Sequence, residues 1–139
     1  MNEPFTFDME SEDLDAAPLF FIEPNDRDAA TELQRVALFR RELRKALPAA
    51  RIIAIPNAGK RGQAATRQAK AEGMSKGAPD MVVLWNGETV WLEWKDRNNK
   101  PSDAQTRWLN WLHVNGHPCA VVRTWQGAFG FLRTLGWAL

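Results

Sequence analysis

The sequence predicts an α/β domain with a small mixed central sheet, a hairpin continued into a βαβ unit, flanked by helices. Two observations carry that expectation. Asn86-Gly87 divides two apolar runs, 81–85 and 89–92. Asn-Gly is the favoured pair for a two-residue type I′ turn, because both central positions need a positive φ. Beyond the hairpin, a helical stretch over 101–115 leads into an apolar run over 118–125. Strand, helix and strand with connections this short make a βαβ unit, which implies a parallel pair joined by a right-handed crossover.

Each element follows from its local pattern. Over 31–47, Leu33, Val36, Ala37, Leu43 and Leu47 recur at helical spacing and Pro48 stops the run, so the first packing layer is a helix. The isoleucine-rich 51–55 reads as a buried strand that ends at Pro56-Asn57. The stretch 58–77 is basic and glycine-containing, with helix formers over 63–72 that suit a short surface helix. Pro101-Ser102-Asp103-Ala104-Gln105 opens the next helix, with Ala104, Trp108, Trp111 and Leu112 as its apolar side and Asn115-Gly116 as its end. A closing helix over 126–137 follows, despite Gly127 and Gly130. Of the seven tryptophans, Trp91, Trp94, Trp108 and Trp111 sit at core-like spacing. Trp85, beside the turn, is expected at the surface, where it suits base stacking or a subunit contact.

A chain of 139 residues fits one domain with a real core. Its 45% hydrophobic and 25% charged content is ordinary for a globular protein, and no apolar run approaches the roughly 18 residues of a membrane span. The first eight residues lack the pattern of a secretory signal, so the expected compartment is the cytoplasm, that of the host if the chain is phage-encoded. Cys119 is the single cysteine, which excludes an intrachain disulfide and a multi-cysteine zinc site and suits a small buried residue in a strand. His113 and His117 have no ligand-like partner spacing.

The formal net charge of +1 hides a polarised chain. Residues 1–28 hold nine acids against Arg27 alone, a net of −8, whereas 29–139 hold 17 bases against 8 acids, a net of +9. Residues 1–28 therefore read as an acidic, disordered leader that competes for the basic face, and 29–139 as the folded domain. The basic remainder suits an anionic partner such as a phosphate backbone.

The hairpin register also gathers chemistry. If Asn86-Gly87 is the turn, Trp85 pairs with Glu88, Val83 with Val90, and, by extension, Asp80 with Glu93. Directly opposed residues on one face have Cβ atoms about 5 Å apart, and Lys95, two residues beyond Glu93, points to the same face. Met81, Val83, Val90, Leu92 and Trp94 form the other, core-like face. Two carboxylates this close repel by roughly 3 kcal/mol at an effective dielectric near 20. A divalent cation offsets that repulsion, and paired carboxylates are the hard oxygen ligands that Mg²⁺ or Mn²⁺ takes. Such an ion activates water and neutralises charge on a phosphate, while the Lys95 ammonium orients the water or stabilises that charge. The plainer reading makes Asp80 a strand-entry residue after Pro79, and Glu93 with Lys95 a solvated ion pair at a sheet edge.

Gly77-Ala78-Pro79-Asp80 followed by Glu93-Trp94-Lys95 resembles the PD-(D/E)XK nuclease signature. The order Asn57, Gly77-x-Pro-Asp80, Glu93-x-Lys95, Ser102-x-x-Gln105 resembles more narrowly the VRR-NUC branch, over residues 31–125. The resemblance implies a PD-(D/E)XK nuclease-like fold and a Mg²⁺- or Mn²⁺-dependent endonuclease acting on DNA, including nicked, flapped or four-way substrates. It implies that Asp80 and Glu93 bind the metal with the backbone carbonyl of Trp94, and that Lys95 assists the attacking water. Gln105 is a family motif residue near the active site, although Ser102-x-x-Gln105 is equally a helix capping box. Glu32 matches the place from which some relatives donate a further acidic group, although a first-turn Glu also suits the helix dipole. Asn57 touches substrate or caps the turn after Pro56. Lys60, Arg61, Lys76 and Lys100 are the expected backbone-gripping residues. A homodimer would set two sites at a fixed separation. The competing expectation is a catalytically inactive nucleic-acid-binding module of the same fold. The acidic leader lies outside the family pattern.

Overall fold

A computed structural model describes residue 14 and residues 17–56 and 77–139 of the chain. Strand β1 (Phe21–Ile22) precedes helix α1 (Glu32–Ala46), which is followed by β2 (Arg51–Ala54). The hairpin strands β3 (Met81–Trp85) and β4 (Glu88–Trp94) come next. Helix α2 (Asp103–Val114), strand β5 (Cys119–Val122) and helix α3 (Trp125–Thr134) complete the chain. The sheet runs β1-β5-β4-β3-β2. It is mixed, as expected: β3 pairs antiparallel with both β2 and β4, and β5 lies parallel to both β4 and β1.

The turn chemistry sets this topology. Asn86 and Gly87 have φ of 51° and 79°, the left-handed pair that a type I′ turn needs. The resulting register pairs Trp85 with Glu88, Val83 with Val90 and Met81 with Leu92. Side chains alternate, so Met81, Val83, Val90, Leu92 and Trp94 all fall on one buried face, where Phe39 and Leu43 of α1 and Phe129 and Leu132 of α3 pack on them. The opposite face of β4 and β5 is covered by α2 through Leu109 and Leu112, against Cys119 and Val121. Burial pushes the Cys119 thiol up to about 12 and leaves it an inert core group.

Three expectations change. First, β2 is the sheet edge rather than a buried strand, and Ile53 is 52% exposed. Second, α2 buries Gln105, Leu109, Asn110 and Leu112, a stripe one position round from the expected Ala104, Trp108 and Trp111. Gln105 turns inward to reach a strand carboxylate, and residues four and seven positions on turn in with it. Trp108 and Trp111 stay half-buried and meet edge to face. Third, Trp85 is not the exposed aromatic, because Trp137 folds back against it at 5.3 Å and anchors its indole N–H on Glu88 Oε2 at 2.5 Å.

Residues 17–28, assigned by sequence to the leader, carry structure. Phe21 and Ile22 add a strand to β5. Glu23 accepts from the backbone N–H groups of Arg123 and Thr124, at the start of α3. Its carboxylate lies 2.1 Å from where a Cβ on Gly127 would stand, so a side chain at this weak point in the helix would have to displace it. Asp26 forms a forked pair with the buried Arg35 of α1 at 2.6 and 2.9 Å, and Arg35 also donates to the carbonyls of Asp28, Ala30 and Arg123. Composition cannot reveal this, because acids that partner distant arginines count the same as acids in a solvated tail.

The Arg35 hydrogen bonds hold the Asp26 carboxyl below its ordinary value of 3.8. A depressed carboxylate contributes stability that is present above its unfolded value and lost as pH falls through the folded one. Arg35→Met is expected to cost about 3 kcal/mol at neutral pH by stranding the Asp26 carboxylate. That gap should hold above about pH 5 and shrink below about pH 4. Urea unfolding of both proteins across that range checks it.

Candidate active site

The sheet face opposite α1 carries a buried carboxylate. Glu93 lies on β4, beside Val121 of β5, and is 0% exposed. A buried carboxylate is costly unless its oxygens are met by donors. Here Oε2 accepts the backbone N–H of Asp80 at 3.0 Å. Oε1 accepts from the Gln105 amide and lies 3.8 Å from the Lys95 ammonium, itself only 13% exposed. The solvated edge pair is therefore the wrong picture of Glu93 and Lys95.

Asp80 meets Glu93 as the register implies, by a specific device. Regular strand pairing ends at Met81 and Leu92. Beyond it, Asp80 gives its N–H to Glu93 and takes the N–H of Trp94 on its own Oδ2 at 2.9 Å. Each carboxylate thus binds a backbone amide of the other strand. The Asp80 carbonyl accepts from Ile55 N–H at 2.8 Å, which holds the same residue to the end of β2. Trp94 projects the other way, its ring 5.2 Å from Phe39 in the core, so its backbone is fixed at the carboxylate pair.

Two neighbours brace the pair. Gln105 has one carbonyl and one amide to spend, and uses both. Its Oε1 accepts Ser102 N–H at 2.8 Å in a full capping box, while its Nε2 donates to Glu93. The same side chain thus completes the helix cap and meets Glu93. Gly77 has φ of +85°, and a Cβ there would stand 2.6 Å from the backbone carbonyl carbon of Ala104 in α2. The Gly-x-Pro-Asp run is thereby pressed onto the first turn of the helix that carries Gln105, which only a residue without a side chain allows.

The remaining expected residues separate. Among the described residues, no group of three or more Asp, Glu, His or Cys is placed to hold a metal, so Glu32 is not gathered with Asp80 and Glu93. Its helix packs on the sheet face away from Glu93. Lys100 stands exposed before α2, at a cavity of about 710 Å³ lined also by Arg107 and Arg123. Asn57, Lys60, Arg61 and Lys76, with the expected helix over 63–72, lie outside the described residues. Sequence reasoning gave Gly77 no role of its own, although a glycine three residues ahead of a motif acid is the signal that could have suggested one.

The chain resembles a solved structure described as a VRR_NUC domain, with a TM-score of 0.53 and 24% sequence identity over 75% of this chain and 97% of that one. The fold is that of a VRR_NUC domain. No family model and no curated protein sequence matches the chain. Among the described residues, no helix is long and apolar enough to cross a membrane.

The donor chemistry at Asp80 and Glu93 suits a hard divalent cation. A carboxylate oxygen carries more than one lone pair and can meet a cation beside an N–H donor. With two carboxylates as the protein's acidic share, the fitting ion is one that keeps several waters and takes substrate oxygens, as Mg²⁺ does.

Gln105→Leu removes a cap and a donor to a buried carboxylate together, and is expected to cost about 2–4 kcal/mol. Ser102→Ala removes only the cap, at about 1 kcal/mol. Equal losses in chemical denaturation would show that the bond to Glu93 contributes nothing.

Proposed function

We propose that this protein is a Mg²⁺- or Mn²⁺-dependent endonuclease that hydrolyses DNA phosphodiester bonds. The observation that carries this reading is the reciprocal clamp of Asp80 and Glu93, with Lys95 against the same carboxylate. The VRR_NUC fold and the sequence resemblance support it.

Asp80 and Glu93 would hold the ion, together with the backbone carbonyl of Trp94. A bound Mg²⁺ supplies an activated water and offsets charge gathering on the phosphate. The chain supplies position. Asp80 is fixed by bonds to both β2 and β4, and Glu93 by Gln105 and the Asp80 amide, so neither carboxylate has to reorganise as charge develops. The Lys95 ammonium, packed between protein and solvent beside Glu93, donates to the attacked phosphate and stabilises its added negative charge. Water adds its oxygen to phosphorus and gives up a proton to solvent, while the leaving ester oxygen departs with the bonding pair and takes a proton from solvent. Lys100 and the basic stretch 58–77, with Lys60, Arg61 and Lys76, would grip the backbone, and Asn57 would touch the substrate.

Asp80→Asn, Glu93→Gln and Lys95→Ala are each expected to lower metal-dependent cleavage of plasmid DNA at least about a hundredfold. Circular dichroism should show folded proteins. Cleavage by all three at the unaltered rate would overturn the reading.

A further inference from the structure

A second basic feature lies outside the clamp. At the junction of α1 and the edge strand, Arg40, Arg44 and Arg51 surround a groove of about 220 Å³ floored by Leu43 and Ile52. Arg40 and Arg44 stand one turn apart on one side of α1, and all three arginines are exposed. Their neighbours Arg41 and Lys45 share the Glu42 carboxylate at 3.2 and 3.6 Å. Arg40, Arg44 and Arg51 have no carboxylate partner among the described residues. Arg51 is pinned instead, its Nη1 donating to the carbonyls of Pro48 and Ala50 at 3.0 and 2.9 Å. Three arginines from two elements meet at one groove with no acid among the described residues to neutralise them, which concentrates positive charge there as an anion cradle.

We propose that this groove is a second nucleic-acid contact, in which Arg40, Arg44 and Arg51 take the phosphodiester backbone of a duplex held at the Asp80–Glu93 clamp. The choice of ligand rests on the nuclease reading; the cradle itself rests on the arginines. The two are tied by β2, which begins at Arg51 beside Leu84 and leads to Ile55, bonded to the Asp80 carbonyl. Four residues of strand span about 13 Å, or about four base pairs of duplex at roughly 3.4 Å each. In the proposed complex the duplex lies along this edge and meets the groove from the α1 side and the clamp from the other face.

The test is binding of the full chain to a labelled duplex of about 20 base pairs without divalent metal, read by fluorescence anisotropy over a salt series. For R40Q/R44Q/R51Q the slope of log affinity against log salt should fall by about 2–3, since each lost phosphate contact removes roughly 0.9. Affinity at the lowest salt should drop at least about tenfold. R40Q/R44Q, which keeps the Arg51 bonds to Pro48 and Ala50, should show about two-thirds of that fall in slope, so a folding defect at Arg51 does not obscure the result. R133Q, an exposed arginine on α3, is the control and should leave the slope unchanged. An unchanged slope in the triple variant, no duplex binding by the parent, or an equal loss per charge in R133Q overturns the proposal. Adding Mg²⁺ and plasmid separates the two readings. A slope loss with no cleavage by the parent leaves the groove standing and removes the nuclease, and cleavage with an unchanged slope removes only the groove.

Discussion

The structure turns on one buried carboxylate. Glu93 has no exposure to water, and everything around it is arranged to make that tolerable. The Asp80 amide, the Gln105 side chain and the Lys95 ammonium converge on its two oxygens. Satisfying Glu93 therefore joins the end of the hairpin to α2 and fixes which side of α2 faces the sheet. A carboxylate that organises this much structure is held in place before any ligand arrives. Catalysis on phosphates demands that kind of preorganisation.

Much of this was legible in the sequence because short-range rules govern it. Asn86-Gly87 has one favourable turn, the turn has one register, and the register carries Asp80 to Glu93. Helical spacing over 31–47 and the breaker Pro48 marked out α1, and the structure places that helix at Glu32–Ala46, with Thr31 as its N-cap. Ser102 and Gln105 spelled a capping box that formed.

What stayed illegible depends on partners far away in the chain. Glu23 and Asp26 read as tail acids until Thr124 and Arg35 appear beside them, 101 and 9 residues away. Trp108 and Trp111 outweigh Leu109 and Asn110 in any apolar count, yet the bond from Gln105 to Glu93 decides the buried side. Asn110 then serves the N-terminal segment, accepting from Leu19 N–H and donating to the Leu14 carbonyl. Trp85 looked exposed because Trp137 lies half the domain away in sequence.

The central claim is that the clamp exists to hold a divalent cation. Crystals soaked in Mn²⁺ and measured for anomalous scattering test it most directly. The account predicts one strong peak within about 2.2 Å of oxygens from both Asp80 and Glu93, lost in Asp80→Asn. A peak elsewhere on the molecule, or none at Mn²⁺ concentrations that support cleavage, would contradict it.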